Sequence, residues 1–393
     1  MTKRNTINIF DIYIRLILFL PITTLFQRFI DPINRLAFMI IFILQFFLLF
    51  RKINIKFITL LLCSLTGFAI TSINSSISKF DNMIIYYVNW ILFTVTIVTY
   101  KNKLIEWIIN NKKVIRNIVI LWNTIVIISI PFPASYYVKE AGEVYFGSFT
   151  GTVFRLCPTA LMIQTLCIIL IVKFKNKKFF LGMIIPLYCA FAGSSRTYLV
   201  LIVLQFLLAL YMSVKNRKVL YSVIILTIIG IVLILKESSI MKKILYTLDS
   251  SNYGDFMFRI TSSRSLIWEQ ILDGFSNYNW FNKIFGGGYK ASFSLNTNNV
   301  YAHNDFIEIL VTFGYIGLVS YLVSMRLLLK SMFKNKNVKI GFYICCIFIW
   351  FFNAMFNQFY NYTCAAFSFP FLLVSIVLYY ESKKERKHIK GEK

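Results

Sequence analysis

Apolar residues dominate the chain in long uninterrupted runs, broken by short polar stretches rich in Lys, Arg and Asn. The runs last roughly 16 to 23 residues, the length that crosses a bilayer as a helix. They predict spans near 7–27, 35–50, 57–73, 83–100, 117–132, 152–172, 178–193, 197–214, 219–236, 305–329, 340–357 and 363–380. Backbone amides in hydrocarbon must find their partners within the segment, and these Ile/Leu/Phe runs lack the alternation of a barrel strand. The expected fold is an all-α polytopic membrane protein of about twelve transmembrane helices. One long polar segment, 237–304, separates the ninth helix from the tenth. No other polar stretch is long enough for a separate domain, so residues 1–393 read as one integral membrane domain ending in a basic tail, 381–393.

Composition agrees: 58% of the residues are hydrophobic and 15% charged. The net charge of +26 would suggest nucleic acid in a soluble protein. Here the basic residues are sorted by loop instead. Alternate short loops and the ends hold about 28 of the 42 Lys and Arg, which by the positive-inside rule puts both termini in the cytoplasm and the 237–304 segment outside. A multi-pass membrane location with both ends in the cytoplasm is expected. The seven cysteines lie in or beside spans with no paired spacing, which argues against a disulfide framework or a zinc site. The first run carries Asp11 and Arg15 and lacks a small-residue cleavage site, so it reads as a span rather than a cleaved signal.

Ionisable groups are costly inside a bilayer, so each one there needs a reason. Asp11 and Arg15 share a helix face, and an anchoring ion pair accounts for them. Arg155 begins the sixth span. Arg196 follows Gly193-Ser194-Ser195 in a tight turn at the predicted outer face. It either meets lipid headgroups or holds an anion with its planar fork. In the long segment, Ser262 and Ser263 predict a helix start, with Ile267, Trp268, Ile271 and Phe275 on one side. Arg264 and Trp268, four apart, would let the indole pack on the guanidinium. Gly286-Gly287-Gly288 allows a tight turn or close approach to a ligand. His303, beside Asn304, Asp305 and Glu308, combines a ring suited to proton transfer with a predicted solvent-facing position. One histidine with two carboxylates is a poor metal set, so no metal or other cofactor is expected.

Three local patterns resemble the superfamily of O-antigen ligases and O-antigen or capsule polymerases, the bacterial envelope glycosyltransferases. They are Ser-Ser-Arg at 194–196; Arg264 and Trp268 followed by Gly-Gly-Gly-Tyr at 286–289; and His-Asn-Asp-Phe at 303–306 leading to Gly-Tyr-Ile-Gly at 314–317. The resemblance implies metal-independent, inverting glycosyl transfer from undecaprenyl-pyrophosphate-linked oligosaccharide to a glycan acceptor at the outer face of the membrane. It implies His303 as general base and Arg196 and Arg264 as pyrophosphate ligands. Trp268, Arg259, Gly287, Asn304 and Asp305 would support them, the last two either by orienting the imidazole or by capping the helix that follows. Polymerisation of repeat units, for lipopolysaccharide or capsule and with a chain-length regulator as a possible partner, is preferred. Ligation of the finished polymer to the lipid A core is the alternative, and a flippase for lipid-linked sugars a second one. No nucleic-acid partner is expected.

Overall fold

The computed structural model describes residues 8–50, 55–73, 82–138, 143–214, 263–334 and 338–389, with isolated positions between 216 and 261. The predicted span 219–236 and Ser262 fall outside these or nearly so. Helices occupy almost all the rest. The first five are α1 (Ile9–Leu25), α2 (Gln27–Leu49), α3 (Ile55–Ser72), α4 (Asn82–Asn110) and α5 (Lys112–Ser129). A small antiparallel hairpin follows, β1 (Tyr136–Val138) against β2 (Val144–Phe146), with Tyr136 opposite Phe146. The chain continues through α6 (Val153–Val172), α7 (Phe179–Gly182), α8 (Ile184–Ala192) and α9 (Arg196–Ser213). Beyond residue 262 come three short helices, α10 (Arg264–Ser276), α11 (Trp280–Phe285) and α12 (Ala291–Ser294). Three long ones close the fold, α13 (Asp305–Phe333), α14 (Ile340–Asn357) and α15 (Thr363–Ile389).

Among the described residues seven helices are long and apolar enough to cross a membrane: α2, α4, α6, α9, α13, α14 and α15. Phe57–Ser72 and Phe179–Ala192 are apolar but shorter. The expectation of twelve counted apolar runs, and a run is not always one helix. The 178–193 run is split into α7 and α8 at Met183, and α2 loses helical geometry at Ile30, two residues before Pro32. In the other direction α15 continues past the apolar stretch through the basic residues to Ile389.

The centre of the bundle is α6, whose apolar stretch is 94% buried, with α15 packed along it; α2, at 17%, turns Leu36, Ile43 and Phe47 outward to the lipid. An all-round apolar helix such as α6 is stable only when other helices surround it. Asp11 and Arg15 form the expected ion pair at 2.8 Å, and Asp11 also accepts from the Trp107 indole at 2.5 Å, tying α1 to α4.

The segment after residue 262 is a compact cap rather than a loose loop. Trp268, Ile271 and Phe275 of α10, spaced for one face, pack with Ala291, Ala302, Ile307 and Val311 into a second small core. This core sits on the first turns of α13 and so fixes where the residues around His303 lie.

Candidate functional site

Four short turns converge here, and three of them place a predicted site residue through a left-handed backbone. Ser194 (φ 51°) ends the turn after α8, so that α9 begins with Arg196. Ser263 (φ 69°) lies directly before Arg264, and His303 itself has φ 52°. Left-handed backbone is uncommon outside glycine and persists where surrounding contacts enforce it. Those contacts are on the page. Ser195 donates its N–H to the Ala190 carbonyl at 3.0 Å, closing the turn after α8. The start of α10 is capped by Thr261, whose hydroxyl accepts the Ser265 N–H at 3.0 Å; the serine cap expected at Ser263 does not form.

The fourth turn links α14 to α15, with Gln358 left-handed at φ 54°. Arg264 donates to the Phe356 carbonyl at 2.6 Å, and Thr197, next to Arg196, donates to Asn357 at 2.6 Å. Tyr360 donates its backbone N–H to Asp305 at 3.2 Å. One turn thus ties together the elements that carry both arginines and the histidine. It also brings in Tyr362, a phenol on which the charges of Arg264 and Arg155 both act. Burial raises this phenol above its ordinary value and the two arginines pull it back, so it stays a neutral hydrogen-bonding group. Tyr362 went unnoticed in the sequence, although Asn-Gln-Phe-Tyr-Asn-Tyr at 357–362 is a conspicuously polar interruption between two apolar runs.

Arg264 is pulled below its ordinary value by burial first and by the nearby Arg196 charge as well, and an arginine keeps its charge through such a shift. Two like charges therefore act on one another while partly out of water, an arrangement that a polyanion relieves. His303 is lowered to about 4, by burial first and then by Arg264. At neutral pH it is an uncharged imidazole, and its ring makes no hydrogen bond among the described residues. It was expected to face solvent, but the cap half-buries it.

The loop that carries His303 is clamped from both sides of Ala302. Glu308, itself buried, accepts the Ala302 N–H at 2.9 Å and the Ser292 hydroxyl at 2.7 Å. Trp268 donates its indole N–H to the Ala302 carbonyl at 2.6 Å. This corrects the expected stacking of Trp268 on Arg264: the indole holds the histidine loop, and the guanidinium is aimed by Phe356. Asn304 and Asp305 serve the helix rather than the ring, the capping alternative of the two that the sequence left open. The Asn304 side chain caps α13 through the N–H groups of Phe306 (3.0 Å) and Ile307 (3.2 Å). Asp305, fully buried, accepts the Tyr321 hydroxyl at 2.7 Å, and the Trp350 indole in turn donates to Tyr321 at 3.2 Å. Both residues position the end of α13, and neither hydrogen-bonds the imidazole.

Gly287 also serves packing. α13 breaks at Gly314 (φ 67°), which releases the carbonyls of Val311 and Thr312 from the helical ladder. Gly287 N–H donates to Val311 at 2.7 Å and Gly288 N–H to Thr312 at 3.2 Å. The approach is so close that a Cβ on Gly286 would lie 2.2 Å from the Thr312 oxygen. The glycine run thus allows close approach, and what it approaches is the backbone of a neighbouring helix. Arg259 is buried, 7% exposed, one turn before α10. Among the described residues no three or more His, Cys, Asp or Glu side chains group as a metal site.

Fold and site together define a multi-pass helical membrane protein in which two arginines and a neutral histidine are gathered by one interhelical turn. The family of O-antigen ligases matches residues 181–322, from α7 into α13, a stretch containing Arg196, Arg264 and His303. That match, over part of the chain, supports a relationship to the O-antigen ligase and polymerase superfamily, whose members are glycosyltransferase-like enzymes, and it gives no support to a flippase. No curated protein matches the chain.

Proposed function

We propose that this protein is a membrane glycosyltransferase that joins oligosaccharide repeat units carried on undecaprenyl pyrophosphate, acting as an O-antigen or capsule polymerase at the outer face of the bacterial cytoplasmic membrane. The observation that carries the reading is the position of Arg264, whose charge bears on both Arg196 and the neutral His303. A donor's pyrophosphate bound by the two guanidiniums supplies the negative charge that their repulsion calls for. That same charge offsets the effect of Arg264 on His303 and raises the imidazole from about 4 toward neutrality. Donor binding thus makes His303 a better base.

The transfer then follows. The acceptor hydroxyl oxygen attacks the anomeric carbon while a ring nitrogen of His303 takes its proton. The bond from that carbon to the pyrophosphate oxygen breaks on the opposite side, with inversion. Its electron pair leaves with the pyrophosphate, where Arg196 and Arg264 stabilise the growing charge. Tyr362, neutral and within the field of Arg264, would supply a further hydroxyl for the same phosphate or the adjoining sugar.

Ligation of a finished polymer to lipid A core is the second reading, supported equally by the family match, which spans Arg196, Arg264 and His303. The two use the same residues and differ in acceptor. A strain lacking the protein, complemented with the wild type or His303→Ala, separates them by its glycan pattern. Single repeats still attached to the lipid A core, with long polymer missing, mean polymerase. Long chains accumulating on the lipid carrier mean ligase. His303→Ala should behave as the deletion in either case, and full activity of that variant would remove His303 as the base.

A further inference from the structure

At the far end of α13 from His303, a groove of about 650 Å³ runs between α13 and α14. Its apolar floor includes Leu322, Leu329, Ile347 and Trp350. Arg326, Lys330 and Lys334 line one side, four residues apart and so on one face of α13. All three are exposed, and none makes an ion pair or hydrogen bond among the described residues. No carboxylate lines the groove. Both walls are helices long and apolar enough to span a membrane, and Leu322, Leu327, Ile344 and Ile347 around it are exposed, so it opens sideways toward lipid. From Leu322 to Lys334 the helix rises about 18 Å, close to the ~15 Å depth of one leaflet's hydrocarbon.

We propose that this groove binds an anionic membrane phospholipid, with the headgroup phosphate on Arg326, Lys330 and Lys334 and one acyl chain along the floor. Charge selects the occupant. A zwitterionic lipid or an apolar protein helix would leave three cations uncompensated, whereas an anionic lipid satisfies them while filling an apolar slot. Its wall is also firmly set, because Trp350 donates to Tyr321 and Tyr321 to Asp305, so the groove does not depend on its occupant to exist.

The test uses the full chain in nanodiscs of equal phosphatidylglycerol and phosphatidylcholine with matched chains. The protein is released into mild detergent, and the lipid it retains is counted by native mass spectrometry. Each basic residue near an anionic lipid contributes up to about fivefold, and for exposed, screened cations we expect about tenfold enrichment of phosphatidylglycerol in total. The triple change Arg326→Gln, Lys330→Gln, Lys334→Gln should abolish the enrichment, and Lys330→Gln alone, a single exposed position, should reduce it. Leu329→Trp, which fills the slot and keeps the charges, should lower retention of phosphatidylglycerol about fivefold or more. Equal retention of the two lipids overturns the proposal. So does enrichment that survives Leu329→Trp, which would mean surface attraction without a groove, or displacement of phosphatidylglycerol by added polyprenyl phosphate.

Discussion

Replacing Trp268 with Phe removes one N–H from the clamp on the histidine loop while keeping an aromatic ring in the small core. The lost bond, 2.6 Å to the carbonyl of Ala302, is made to a residue with no solvent exposure, so water cannot take the indole's place without opening the loop. A buried acceptor left without a partner costs about 1–3 kcal/mol. His303 follows Ala302 directly, and the other half of the clamp, Glu308 on the Ala302 N–H, stays in place. The cost should therefore appear mainly as lost occupancy of the reactive loop geometry, a fall in kcat of about 5- to 150-fold. Turnover of a lipid-linked oligosaccharide would be measured beside amide exchange at residues 301–304, which should speed up, with the thermal midpoint as control. A lowered midpoint with unchanged kcat would mean that the indole only fills the core, and would refute the positioning argument.

Arg196→Lys and Arg264→Lys keep charge but lose the planar fork, and each should cut kcat/KM about 10- to 100-fold; near wild-type activity in both would make them mere headgroup anchors. For the free enzyme the acid limb of kcat/KM should fall near pH 4 rather than near 6.5, because His303 sits at about 4. The same depression means that the stability His303 contributes is complete above about pH 6.5 and is lost as pH falls through 4, so His303→Ala should flatten the thermal midpoint across that window. An unchanged slope would show that the ring is not held neutral. Finally, Ser294→Cys, exposed on α12, should label with an impermeant thiol reagent in intact spheroplasts, whereas Asn176→Cys should label only after lysis. Five of the native cysteines are buried and only Cys63 and Cys345 are partly exposed, so background is small; the opposite labelling pattern would put His303 in the cytoplasm.

Scarcity made the candidate residues legible. In a chain so apolar, Arg196 stood out because a charge at the membrane needs a reason, and Arg264 and His303 because they lie in the one long polar segment; the structure gathers them about one turn. What could not be read were the partners. Trp268 and Ala302 are 34 residues apart, Arg264 and Phe356 are 92 apart, and Thr197 and Asn357 are 160 apart. Local spacing suggested that Trp268 should meet Arg264, since four residues is one helical turn, but the capped loop competed for the indole and won it. Asn304 was ambiguous for the same reason: a side chain able to orient a ring is also an excellent N-cap, and the helix end was nearer. Hydropathy found the apolar runs but not their interruptions, because breaks at Met183 or Gly314 depend on what packs beside them.

The interlock of the glycine run with the broken helix has a bearing on how such proteins diverge. Gly286, Gly287 and Gly288 fit only against a helix that opens at Gly314, and a Cβ on Gly288 would meet Ser72 and Thr71 of α3. The cap is therefore not an exchangeable module. A chimera that borrowed residues 263–304 from a relative with another sugar preference would bring a backbone shaped for that relative's own break. Altered specificity should then be sought by transplanting the cap together with residues 311–314 and the end of α3, three separate stretches of chain that can change only in concert.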